Sequence, residues 1–274
     1  MVGSPGPPPA LSQAMDLLQA IFYAWRETNL RWKLYSYEPR KTGPGLDVSM
    51  HKAGQYSKDS NENVFAKFPD LQGLSLAGKA ILAYNGCEDP PCFMHNTVEK
   101  VFDRLLAENV VTKVEEVRVY IRLTKKYVFE FYEGVRNDCG EPDHTLYRLE
   151  TRSGDQFAVD FSGAQYGIFD GPIIPWHEYL DSYVEEVLDI LDYGACLMRL
   201  SSGNEYEHIF VRARDMDAAI QDWCQQKEVG LGDVAMMGPG REFKIAQTEI
   251  CQALTEGVRN GIRKRTAGLG TDIM

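Results

Sequence analysis

His144 and Asp160 bound the run HTLYRLETRSGDQFAVD, and a histidine beside an aspartate is the orienting half of a catalytic triad. Leu146, Arg148 and Glu150 alternate with Tyr147 and Leu149, and Phe157, Ala158 and Val159 run into Asp160. Arg152-Ser153-Gly154-Asp155 between them has turn composition, so the stretch predicts a β-hairpin. The start of one hairpin strand lies beside the end of its partner, which would bring His144 and Asp160 together at one edge. Such a pair serves a nucleophile, and here the candidates are thiols. A reactive thiol must be present as thiolate, a state favoured by a helix N-terminus or a nearby imidazolium. Histidine then moves the proton and the carboxylate holds its tautomer.

Two cysteines precede the hairpin in NGCEDPPCFMHN. Cys92 opens the segment CFMHNTVEKVFDRLLAEN, in which Phe93, Val98, Val101, Phe102, Leu105 and Leu106 keep helical spacing after Pro90 and Pro91. At a helix start, unpaired backbone N–H groups would stabilise its anion, which favours Cys92 as nucleophile. Cys87 directly follows Gly86 and is the alternative.

Cys92 with its helix, His144 opening HTLYRLE and Asp160 closing DQFAVDFSG resemble the transglutaminase-like branch of the papain-type fold. In that branch a helix-borne cysteine precedes a strand histidine and a next-strand aspartate. The run VDFSGAQYG is also similar to an Asp-Leu-Thr-Gly-Ala-Gln run in fungal proteins. The resemblance covers roughly residues 80 to 170, about a third of the chain. Two features depart from it. Phe161-Ser162 stands where many relatives carry Pro-Thr, and the cysteine setting differs from Gly-x-Cys, which keeps Cys87 and Cys92 both open. The resemblance implies a thiol enzyme that transfers or hydrolyses an acyl group of a small-molecule or peptide-like substrate. With a second part of the same molecule as acceptor, it would be a condensing enzyme or a cyclase of specialised metabolism. A catalytically silent binding module on the same fold is the competing class. A thiol alkylator separates the two, because only an activated thiolate makes one cysteine react far ahead of the rest.

Gln165, Tyr166 and Trp176 follow the aspartate closely and are candidates to line an acceptor pocket, although aromatic side chains also pack cores. Asn85 and Gln72 precede the cysteines and are candidate donors to an oxyanion. Cys87, Cys92 and His95 lack the fourth ligand and second close pair of a structural zinc site, so no metal is expected. The triad chemistry calls for no cofactor. GLGDVAMMGPG lacks the Lys-Ser/Thr and the strand-to-helix context of a phosphate loop and reads as a surface loop.

The elements that must position these residues follow an α+β order. Leu17, Leu18, Ile21, Phe22 and Trp25 predict a helix over 11–27. LRWKLYSYE reads as strand, and LSLAGKAILAYNG as a short helix or strand. VEEVRVYIRLT, KKYVFEFYEGV and the hairpin supply consecutive strands, rich in β-branched and aromatic residues. PWHEYLDSYVEEVLDILDYGACLMRL reads as one or two helices, and DMDAAIQDWCQQKE and REFKIAQTEICQALTEGVRNGIRKR as two more. The expected fold is helices packed on an antiparallel sheet: a flexible tail at 1–9, then one domain with its core at about 80–170 and a helical part at about 175–274. The polar, glycine-containing stretch from Pro39 to Asn63 reads as a loop, either one that covers the site or an insertion far from it.

A formal charge of −11 argues against nucleic-acid or anionic-membrane partners, and no apolar run has the length of a membrane span. The first residues lack a basic segment, and Asp16 interrupts the apolar run that follows, so export is not expected. The six scattered cysteines then read as reduced thiols in the cytosol. The Arg259, Arg263, Lys264 and Arg265 cluster reads as the solvated end of the last helix, and nothing indicates an oligomeric state.

Overall fold

The computed structural model describes residues 6–29, 33–41, 43–51, 75–132, 135–136, 143–201 and 206–269. Gln72, Cys139 and residues 52–63 of the expected covering loop lie outside them. The fold is mixed α+β. Strands β1 (Lys33–Pro39), β2 (Leu46–His51), β4 (Val128–Tyr132) and β5 (Val135–Arg136) form a small sheet in that order. In it β2 runs antiparallel to β1 and parallel to β4. The stretch expected to be loop after Pro39 therefore contains a strand. Leu46 and Val48 alternate with Asp47 and Ser49, and the two apolar side chains are buried.

The central sheet holds five antiparallel strands in the order β8 (Ile173–Pro175), β7 (Gln156–Val159), β6 (Asp143–Thr151), β3 (Val111–Ile121) and β9 (Val184–Asp192). Side chains alternate across a strand, and this alternation divides the molecule. Tyr147, Leu149, Phe157 and Val159 face one large core. That core is built with α1 (Pro9–Thr28), α3 (His95–Ala107), α6 (Glu207–Lys227), α7 (Leu231–Ala235) and α8 (Arg241–Leu269). Leu146, Ala158, Val117 and Val119 face the other side, under α4 (Trp176–Tyr183) and the loop that carries Tyr166 and Ile168. α2 (Leu76–Ala83) packs on the small sheet through Ala80 and Ile81.

Other expectations change as well. VEEVLDILD has apolar residues at helical spacing yet forms strand β9, because β3 offers a free edge and pairing on it satisfies the backbone of both strands. Its register shifts at Leu188 and Glu185, which lets a helically spaced pattern lie along a sheet edge. Glu185, Glu186 and Asp192 are exposed along it and blunt that edge against further pairing. The segment after 175 is thus no helical appendix, since β9 completes the central sheet before α5 (Ala195–Leu200) and α6 to α8 cover one face. The glycine-rich loop after α6 contains α7, whose Leu231, Val234 and Ala235 join the core. Pro9 already belongs to α1 rather than to a tail.

α6 and α8 approach closely at two glycines. A Cβ at Gly257 would overlap Ala219, and one at Gly261 would overlap the Asp215 carboxylate, which pairs with Arg265 at 2.6 Å. Glycine to alanine inside a helix ordinarily gains about 1 kcal/mol. Here Gly257→Ala should instead destabilise by about 1–3 kcal/mol, the range for overpacked cores, seen as a lower urea midpoint at unchanged slope. A raised midpoint would show that the helices separate at little cost.

Candidate active site

Asp160 leaves the end of β7 and its carboxylate is filled on every side. Oδ2 accepts from His144 Nε2 at 2.9 Å and from the Tyr179 hydroxyl at 2.8 Å. Oδ1 accepts the Ser162 backbone N–H at 3.1 Å and the Ser162 hydroxyl at 3.3 Å. The loop closes on it so tightly that a Cβ at Gly163 would stand 2.9 Å from Oδ2. The run Asp-Phe-Ser-Gly is thus a carboxylate-holding turn, with serine as donor and glycine for close approach. Tyr179, from α4, is fully buried and had no legible signal in the sequence, where it looked like any aromatic on a helix.

His144 is fully buried beneath Tyr166, whose ring meets it edge-on at 4.9 Å between centroids. Burial alone would lower the basicity of the ring. The Asp160 carboxylate and then the Cys87 thiol outweigh it, and the pKa is pushed up to about 10. With Nε2 committed to Asp160, Nδ1 is the ring nitrogen left for the nearby Cys87, and it makes no hydrogen bond among the described residues. Burial first, then Cys87 and Asp160, hold the Tyr166 phenol well above its ordinary pKa, so it stays protonated.

The structure brings Cys87, not Cys92, to this pair. Cys92 lies in a π-helical turn, Asp89–Phe93, ahead of α3, which starts only at His95. Pro90 and Pro91 have no N–H to donate, and the turn is closed by Cys92 N–H to Glu88 O and Met94 N–H to Asp89 O. Cys92 is 5% exposed and belongs to the core that holds Tyr147, on the sheet face opposite to His144. Burial, then Cys196, Glu88, Glu116 and Asp89, push its thiol far up, the reverse of activation. Three positions separate His144 from Tyr147 on β6, so the two point to opposite faces and a thiol beside one cannot serve the other. Cys87, half-buried in the turn after α2, is on the correct side.

That turn is held from below by α1. Arg26 is fully buried and donates through Nε to Leu82 O at 2.6 Å, through Nη2 to Tyr84 O at 2.6 Å and through Nη1 to Asp89 Oδ2 at 2.9 Å. Trp25 Nε1 donates to the same carboxylate oxygen at 3.0 Å. A Cβ at Gly86 would lie 3.1 Å from Arg26 Nε, so glycine lets the guanidinium pass directly under the turn. Arg26 was not visible from sequence, since a basic residue late in a helix ordinarily faces solvent.

The other expected residues divide. Asn85 acts through its backbone: it is left-handed at φ 50°, exposes its side chain, and donates its N–H to Gln165 Oε1 at 3.2 Å. Gln165 and Tyr166 lie in the short turn after Asp160, beside the thiol turn and His144 respectively. Trp176 stacks on Tyr179 at 6.4 Å under Arg148 and belongs to the core cluster on the His144 side of the sheet. His95 stacks on Tyr193 at 4.8 Å on α3, apart from the thiol pair. Among the described residues no group of three or more His, Cys, Asp or Glu side chains is placed to hold a metal ion. No helix among them is long and apolar enough to cross a membrane.

No family model, curated protein or solved structure matches this chain.

Removing one member of a buried ion pair leaves the other charge stranded, at a cost of about 3–5 kcal/mol. Arg26→Met should lose that much in urea denaturation, and Arg26→Met/Asp89→Leu should recover part of it. A single variant as stable as the parent would show that the pair does not hold the turn.

Proposed function

We propose that this protein is a thiol-dependent acyl-transfer enzyme whose triad is Cys87, His144 and Asp160. The reading is carried by one observation: a half-buried thiol and a fully buried, carboxylate-anchored imidazole meet at one edge of the sheet. The Cys87 sulfur attacks a carbonyl carbon and forms a carbon–sulfur bond. His144, holding the thiol proton on Nδ1, passes it to the leaving group as the old acyl bond breaks. A thioester remains on Cys87. Water or an amine then gives its proton to His144, attacks the thioester, and releases the product with the thiol restored. Asp160 keeps Nε2 protonated and the ring fixed throughout, and Tyr179 and Ser162 hold Asp160 in turn.

Free thiols suit this chemistry, and all five described cysteines are unpaired. The order of thiol, strand histidine and next-strand aspartate is the part of the transglutaminase-like resemblance that supports this reading, whereas Cys87 lies in a turn and not on a helix. A small-molecule or peptide-like acyl substrate, condensation or cyclisation by an internal acceptor, and a cytosolic setting belong to this same reading. The silent binding module is the outcome if the thiol is inert.

Iodoacetamide with intact-mass and peptide readout should label Cys87 at least about tenfold faster than the other cysteines at neutral pH, since reactivity follows thiolate character. Cys87→Ala should abolish the fast phase and Cys92→Ala should keep it. Labelling of all six cysteines at similar rates would overturn the proposal.

The His144–Asp160 pair also fixes the direction of a pH effect. A group raised from 6.5 to about 10 by folding contributes stability that is complete below 6.5 and lost as pH rises through 10. The parent should therefore lose more stability between pH 6.5 and 10 than Asp160→Asn, as measured by urea midpoints. Parallel profiles would mean that the imidazole is not held charged by Asp160.

A further inference from the structure

We infer that the side-chain amide of Gln165 is the hydrogen-bond donor for the oxyanion that forms when Cys87 attacks a carbonyl. This inference rests on the acyl-transfer reading above. Gln165 is 5% exposed and sits in the short turn Gly163–Tyr166 directly after the Asp160 loop. Its orientation is fixed by chemistry. Oε1 accepts the Asn85 N–H at 3.2 Å, two residues before Cys87, so Nε2 is the free end of the amide. That Nε2 is buried and has no hydrogen-bond partner among the described residues.

A buried N–H group without a partner is costly, and the great majority of such groups in folded proteins are satisfied. An unsatisfied one between a thiol turn and a histidine–aspartate pair fits an acceptor that is present only during reaction. The next residue, Tyr166, lies against the His144 ring at 4.9 Å, so the turn bridges the nucleophile and its base. A fixed neutral donor of this kind is worth most where charge develops, on the carbonyl oxygen of the tetrahedral intermediate. It suits an uncharged acyl group such as an ester, thioester or amide. The two donors expected from sequence do not take this place: the Asn85 side chain is exposed, and Gln72 lies outside the described residues.

The test compares two reagents that consume the same thiolate. p-Nitrophenyl acetate acetylates sulfur through a tetrahedral oxyanion and releases p-nitrophenolate. Iodoacetamide alkylates sulfur by displacing iodide and forms no oxyanion, so the ratio of the two rates cancels any change in thiolate population. In Gln165→Met, Cys87 acetylation should fall about 10²-fold while alkylation changes by less than about threefold. Gln165→Glu keeps an acceptor for the Asn85 N–H and loses the donor, so it should show the same fall in ratio and serves if the methionine variant does not fold. Circular dichroism monitors folding in both. An unchanged ratio in a folded variant, including equal loss of both rates, overturns the role of Gln165 and leaves the acyl-transfer reading in place. Parent protein in which Cys87 reacts with neither reagent ahead of the other cysteines overturns that reading and this inference together.

Discussion

Arg26 and Asp89 are both closed off from water, and the position of the thiol depends on the pair they make. Burying two charges is expensive, and a single contact rarely offsets the cost. The fork of the guanidinium changes the balance, because it binds two backbone carbonyls as well as the carboxylate, each with a charge-assisted hydrogen bond. Those carbonyls, Leu82 and Tyr84, lie on one side of Cys87, and Asp89 lies on the other. One side chain from α1 therefore grips the turn at both ends. Gly86 permits the approach, and left-handed Asn85 turns the chain over the guanidinium.

The other half of the site is built on a different principle. His144 and Asp160 need no distant clamp, because a hairpin with a short turn brings them together, and antiparallel alternation puts both on one face. What comes from afar is the filling of the carboxylate. Tyr179 arrives from α4 and shares Oδ2 with the imidazole. Ser162 takes Oδ1 from within the loop, and Gly163 lets that loop close. A carboxylate with all its partners in place cannot rotate away from the histidine, so the ring presents Nδ1 to the thiol in a fixed direction.

How much of this was legible follows from the range of each interaction. The hairpin, His144 facing Asp160, and the existence of helices α1, α3 and α8 rest on alternation, turn chemistry and helical spacing, all local properties. The choice between Cys87 and Cys92 was not local. A helix start five residues further along made Cys92 attractive, but two prolines delay the helix to His95 and leave Cys92 in a turn that faces inward. Which side of the sheet that turn meets is set by packing against Tyr147 and Cys196, and no spacing rule contains it.

Strand β9 marks the same boundary from the opposite side. Val184, Val187, Leu188 and Leu191 spell a helix, yet an open edge on β3 and two register shifts make them a strand. The sequence by itself determined an α+β chain with a histidine–aspartate hairpin and several cysteines within reach of it. Only the tertiary structure decided which cysteine faces the imidazole, that a buried arginine holds it there, and that the Gln165 amide beside it has an N–H with no partner among the described residues. The physical reason is that periodicity encodes which face of an element is apolar, whereas a site depends on which elements those faces meet.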